Sequence, residues 1–272
     1  MGVVSDTISN DYDHAASRAA AWGLPHVEVF SVWDRPVIEL NDDEIERIAA
    51  ISTEHGVTVS NLATLIMRVP ATDAARAEQL QQFDRAVEIA GILGLDRIRC
   101  YAFLKEPSLD SVWDRIIDAL NALLERARGA NITLLLENSS YANVQMATES
   151  RAVLDAIVDP RLQLLWDPGN AFALGDPTPT VEAWHLLKDR VAHIHLKDSV
   201  AHGSNHWVPL GEGALDLDGL LAAITTDGYR GIVSLETYFD DPDPAVREEK
   251  TRISAENLHR AIAACPVDTE SA

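Results

Sequence analysis

The chain has 272 residues, 47% of them apolar, and a formal charge of −21. That length suits one α/β barrel, which takes roughly 250 residues, and the apolar share excludes a disordered chain. So acidic a surface repels phosphate backbones, which argues against a nucleic-acid partner.

No apolar run approaches the ~20 residues of a membrane span. The first residues lack a basic segment followed by an apolar one, so no signal peptide is visible. Cys100 and Cys265 are the only cysteines and support neither a disulfide framework nor a zinc ribbon. The expectation is a cytoplasmic protein with no membrane partner.

Strand-like and helix-like runs alternate along the chain. Residues 2–8 read as a weak first strand, and 11–22 as a helix with Ala15, Ala19 and Trp22 on one side. Residues 26–30 are the second strand. Asn41 caps a helix to His55, with Glu44 completing a capping box and Gly56 ending it. Residues 57–62 are the third strand. The clearest helix covers 73–93, where Leu80, Phe83, Val87 and Ala90 recur at helical spacing, and Gly94 terminates it. Residues 96–102 are the fourth strand, followed by a helix from Ser108 to about Arg128. The remaining strands are 132–137, 162–167, 191–198 and 231–236, followed by helices near 148–158, 179–189, 216–227 and 244–264.

Eight βα units in order, without a linker-like shift in composition, predict a single (β/α)8 barrel over residues 1–265 and a tail at 266–272. A doubly wound open sheet is the rival, but the first strand lacks a Gly-rich phosphate loop.

The stretch Val191-Ala192-His193-Ile194-His195-Leu196-Lys197-Asp198 is the most informative. Side chains alternate along a strand, so His193, His195 and Lys197 share one face. Polar groups on a buried face need partners. Glu137, Asp167 and Glu236 also stand at or near the ends of predicted strands, about one βα unit apart. In a barrel those ends are neighbours on the face that carries active sites. Three crowded carboxylates would repel and partly protonate. One divalent cation resolves the conflict, and a carboxylate-rich set with one imidazole suits Mn²⁺ or Mg²⁺, with Co²⁺ or Zn²⁺ also compatible.

The motifs Leu-Leu-Leu-Glu137-Asn138, Trp166-Asp167-Pro168-Gly169-Asn170, His193-Ile194-His195-Leu196-Lys197-Asp198, Pro209-Leu210-Gly211-Glu212-Gly213 and Ser234-Leu235-Glu236 resemble the sugar phosphate isomerase/epimerase branch of the xylose isomerase-like barrels. They cover the second half of the chain, with looser support from Val27-Glu28-Val29 in the first. The resemblance implies one divalent metal held by Glu137, Asp167, His195 and Glu236. It also implies that Glu137 and Glu236 exchange protons with substrate carbon. The expected activity is isomerisation or epimerisation of a small sugar or keto-polyol through a metal-stabilised enediolate. A lyase on the same site is the alternative, either an inosose-type dehydratase or an enzyme eliminating from a 3-keto-sugar. An apurinic endonuclease-like hydrolase is a distant third. It would need more ligands and basic loops. Asn170 departs from the histidine that many relatives carry three residues after the aspartate. Relatives are often homo-oligomers, but no residue here identifies an interface.

Lys197, His193, Trp207, Glu28 and Asn170 are candidate substrate contacts. Pairing within the protein is the competing reading of three of them: Gln163 or Ser234 would hold His193, Arg99 would hold Glu28, and a loop carboxylate would hold Lys197. Tyr238 and Phe239 could wall the pocket. His202 and His206 read as solvated loop residues, and Trp33, Trp113 and Trp184 as packing residues.

Overall fold

A computed structural model describes residues 1–265; the predicted tail at 266–272 lies outside the described residues. Eight strands form a closed parallel barrel: β1 (Gly2–Val4), β2 (His26–Val29), β3 (Thr58–Ile66), β4 (Arg97–Cys100), β5 (Thr133–Glu137), β6 (Leu162–Trp166), β7 (Val191–Leu196) and β8 (Ile232–Leu235). Each pairs with the next, and Gly2 beside Ser234 closes the ring.

The helices are α1 (Tyr12–Ala21), α2 (Asp42–His55), α3 (Asp73–Leu93), α4 (Trp113–Ala127), α5 (Ala147–Ala156), α6 (Pro168–Ala173), α7 (Val181–Leu187), α8 (Leu217–Thr226) and α9 (Pro244–Ala264). The covering of the barrel by α4 illustrates why they form. Ile116, Ala119, Leu120, Leu123, Leu124 and Ala127 recur three and four residues apart and are buried. Burying each leucine contributes about 1.5–3 kcal/mol relative to leaving it exposed. At the start of α2, Asn41 Oδ1 accepts the Glu44 N–H at 3.0 Å and Glu44 Oε2 accepts the Asn41 N–H at 2.9 Å. Gly56 ends α2 at φ 68, a left-handed conformation that a Cβ would penalise.

Several boundaries differ from those predicted. The first strand stops at Val4, because the chain turns into a short 3-10 segment where Thr7 Oγ1 donates to Val4 O at 2.7 Å. The third strand runs on to Ile66, with buried Asn61 and Thr64 inside it. Ser108 caps a 3-10 turn, and α4 begins only at Trp113. The α6 turn was not foreseen. Asp167 Oδ1 accepts the Asn170 N–H at 2.9 Å and Pro168 occupies its first position, so its start signal was present in the sequence.

Beyond Leu196 the chain leaves the barrel, and Asp198–Ser199 pairs antiparallel with Trp207–Val208. The Asp198 carboxylate is buried and accepts N–H groups from Ser199, Gly211, Gly213 and Leu215 at 2.8–3.1 Å. It thereby anchors the loop that carries Trp207 over the barrel mouth.

Candidate active site

The barrel interior is layered at its C-terminal end. The lower layer centres on Glu28, which is fully buried. Its Oε1 accepts from His193 Nε2 at 2.8 Å and lies 3.1 Å from His195 Nε2. Its Oε2 accepts from Asn61 Nδ2 at 3.0 Å and lies 3.1 Å from His195 Nε2. Burial alone would raise the Glu28 carboxyl, but the two imidazoles outweigh it and hold it well below the usual range. Burial pushes His193 down, and Glu28 opposes that only in part. Burial would also lower His195, yet Glu28, Glu236 and Glu137 together hold it well above its ordinary value. Of the two imidazoles, His195 is therefore the one its surroundings favour as the cationic partner of Glu28.

The upper layer holds Glu137, Asp167, His195 and Glu236, all buried. One ligand atom from each lies within 4.8 Å of the others. The Nε2 side of His195 is taken by Glu28, which turns Nδ1 toward Glu236 Oε1 at 3.4 Å and Glu137 Oε1 at 3.7 Å. Two cations neutralise the carboxylates. Arg99 Nη1 lies 3.1 Å from Glu137 Oε2 and 3.0 Å from Glu236 Oε1. Lys197 Nζ lies 2.6 Å from both Asp167 Oδ2 and Glu236 Oε2. Tyr101 Oη donates to Glu137 Oε2 at 2.6 Å.

These contacts divide the carboxylates. Burial would raise Glu236, but Lys197, His195 and Arg99 hold it well below the usual range. Burial pushes Asp167 up to about 6, against the pull of Lys197. Asn138 fixes Asp167 from behind: Asn138 Oδ1 accepts the Asp167 N–H at 2.7 Å and Asn138 Nδ2 donates to Asp167 O at 2.8 Å. Gly169 follows because a Cβ there would lie 2.9 Å from Lys197 O.

The quartet fits a divalent cation. Among the described residues, His195 Nδ1 and Asp167 Oδ2 are buried without a hydrogen-bond partner. The Lys197 contact to that oxygen is an ion pair outside hydrogen-bond geometry. Donors sharing an ion at about 2.1 Å lie no more than about 4.2 Å apart, so the observed cluster needs only a small contraction.

Above the quartet opens a cavity of about 700 Å³. Phe30, Tyr101, Tyr141, Trp207 and Tyr238 line it, with Glu137, Glu236, Arg99, Lys197 and Asn170 deeper in. Of the candidate substrate contacts, Asn170, Lys197 and Trp207 face this cavity, and Lys197 Nζ lies 5.4 Å from the Trp207 ring. Glu28 and His193 do not. They lie one layer below and are consumed by each other. Both are paired in the core, but none of the three partners expected for them holds them, and Ser234 Oγ is buried without a hydrogen-bond partner. Arg99 bonds the upper carboxylates, and Gln163 donates to Pro160 O instead of holding His193. Tyr238 walls the pocket, whereas Phe239 is buried elsewhere under Lys250. His202 is exposed against Phe172, and Trp184 is a packing residue bonded to Asp227. Tyr101, Asn61 and Arg68 were missed as parts of this end of the barrel, and Arg99 was expected here only as a partner of Glu28. The only available signal for Arg99 was an arginine inside an apolar strand.

A family model described as xylose isomerase-like TIM barrel matches residues 16–260. The chain belongs to this family. Fructoselysine 3-epimerase of Shigella flexneri is 26% identical over 261 residues, covering 89% of this chain and 92% of that protein. L-ribulose-5-phosphate 3-epimerase UlaE of Escherichia coli K12 is 27% identical over 231 residues, covering 80% and 79%. The solved structure of the IolI protein with a binding zinc atom superposes with a TM-score of 0.79 at 16% identity, covering 96% of this chain and 97% of that one. This xylose isomerase-like chain thus has its acidic quartet at the ends of β5 to β8, on the face where barrel enzymes carry out chemistry. No described helix is long and apolar enough to cross a membrane.

Proposed function

We propose that the protein is a divalent-metal-dependent epimerase or isomerase of a small sugar or keto-polyol. The observation that carries this reading is the pair Glu137 and Glu236, both held by Arg99 Nη1 at the base of one cavity beside His195 and Asp167. The two relatives named as 3-epimerases, matched over 92% and 79% of their own lengths, support it.

Glu137, Asp167, His195 and Glu236 would hold the ion, with Mn²⁺ or Mg²⁺ as the first choice for this donor set. Such an ion would stabilise negative charge building on substrate oxygen as a neighbouring C–H proton leaves. Glu236, kept ionised by Lys197, His195 and Arg99, accepts that proton. Glu137, whose Oε2 accepts the Tyr101 hydroxyl, takes a proton from solvent before the turnover and delivers it from the other side, and Glu236 then gives up its own proton to solvent. Return to the same carbon gives epimerisation; return to the neighbouring carbon gives isomerisation. Asn170 is neutral and, with its Nδ2 donating to Asn138 O at 3.0 Å, offers its Oδ1 to a substrate hydroxyl, while Trp207 offers a stacking face.

The test is a screen of ketoses, ketose phosphates, inososes and 3-keto-glycosides in D₂O with Mn²⁺-reconstituted protein. Deuterium appears on carbon in recovered or converted substrate if the reading holds. Glu137→Gln and Glu236→Gln each lower exchange by about 10²–10⁴-fold while substrate still binds. Release of water or an aglycone without epimer or isomer would replace the proposal with a lyase. Failure to take up any divalent ion would remove the metal from it.

A further inference from the structure

The cations deep in the cavity already have anionic partners. Arg99 serves Glu137 and Glu236, and Lys197 serves Asp167 and Glu236. Arg68 differs. It lines the same cavity but has no carboxylate within ion-pair distance among the described residues. Its guanidinium lies 4.4 Å from the Tyr141 ring centroid and 5.7 Å from that of Tyr101. Stacking occupies the face of a guanidinium and leaves its N–H edge free for an anion.

The backbone is bent to put it there. Met67 has φ 63 and its N–H is held by Gln79 Oε1 at 2.8 Å. The next N–H, that of Arg68, returns to Leu65 O at 2.9 Å. A left-handed methionine is strained and persists only where its surroundings enforce it. Tyr101 connects this arginine to the reacting end, since its hydroxyl donates to Glu137 while its ring faces Arg68. Arg68 therefore stands one tyrosine ring away from the acidic quartet. Ser139 and Ser140 line the cavity beside Tyr141, and Asp240 is the one lining carboxylate outside the reacting pair.

We infer that Arg68 anchors an anionic substituent, a phosphate or a carboxylate, at the end of the substrate remote from the carbon where the proton moves. The inference rests on the epimerase or isomerase reading. A cavity of about 700 Å³ has room for a sugar extended by such a group. In a chain of charge −21, an unpaired arginine at the mouth also gives an anionic substrate a local attraction against the general field.

The test compares wild type, R68A and R68K with L-ribulose 5-phosphate against L-ribulose, and fructoselysine against its carboxamide, the first member of each pair carrying the anionic group that the second lacks. Deuterium exchange gives kcat and KM, and calorimetry gives binding without turnover. Wild type prefers the first member of one pair, and which pair it is separates phosphate from carboxylate. R68A collapses that preference in kcat/KM by about 10- to 100-fold, through KM more than kcat. R68K falls between, because lysine keeps the charge and loses the planar fork. Equal losses on both members of each pair would overturn the inference in favour of a structural role. So would an absence of charge preference, or no binding by any of the four compounds. Charge-selective binding without exchange would sink the epimerase reading and leave the anchor; exchange without charge preference would do the reverse.

Discussion

Replacing Glu28 by glutamine tests the layer beneath the site. The carboxylate accepts from His193, His195 and Asn61 in a fully buried setting. Glutamine keeps the shape but presents an amide donor on one side. If that NH₂ replaces Oε2, it meets Asn61, whose Oδ1 is buried without a partner. A flip of Asn61 then restores that bond. The unrecovered loss is the charge-assisted bond to His195, worth about 1.5–3 kcal/mol. At about 2–4 °C per kcal/mol, the Tm of the metal-free protein falls by about 3–12 °C. The larger effect is on the metal. Glu28 holds His195 Nε2 and so keeps Nδ1 free to face the quartet. Losing such support costs about 10–100-fold in metal affinity. Thermal melts in chelator, followed by Mn²⁺ titration in a calorimeter, read both quantities. If Glu28→Gln matches wild type in Tm and in Mn²⁺ affinity, the lower layer does not orient His195 and the reasoning fails.

Other expectations follow from single groups. Asp198→Ala strips the acceptor from four backbone N–H groups, three of them in the loop 211–215; we expect a loss of about 3–5 kcal/mol in urea unfolding, and a raised KM because Trp207 is released. Asp6 tests pH linkage. Burial pushes its carboxyl up to about 6, opposed by Arg99 and by the Tyr238 hydroxyl at 3.3 Å. A raised carboxyl pKa favours the folded state below the unfolded value of 3.8, and that contribution is lost as pH rises through about 6. Allowing for solvent screening of a half-buried group, Asp6→Asn should gain about 1 kcal/mol over wild type between pH 4 and pH 7. A difference between the two proteins that is flat across that range would refute the linkage.

The alternation of βα units along the chain is local, because burial on one side repeats every two residues in a strand and every three to four in a helix. The barrel, the capping box at Asn41 and the four strand-end residues of the acidic quartet were therefore legible in the amino-acid order alone. So was the common face of His193, His195 and Lys197. The short α6 turn carried its own start signal in Asp167-Pro168, but it hid behind the strand-end reading of Asp167.

The pairing inside the barrel is a different matter. Closing the ring sets β2 facing β7 across the interior, so Glu28 meets His195 from 167 positions away. It also sends Arg99 of β4 across to Glu236, 137 positions on, instead of to Glu28. No periodicity encodes those distances. They follow from strand tilt and stagger, which decide the depth at which each inward side chain sits. Depth in turn decides role: Glu28 and His193 are pushed below the cavity, Lys197 is drawn into the carboxylates, and Arg68 is left at the mouth with no ion-pair partner among the described residues. The chain order thus specified which chemical groups surround the site, while the closed barrel determined their partners and the charge each group carries.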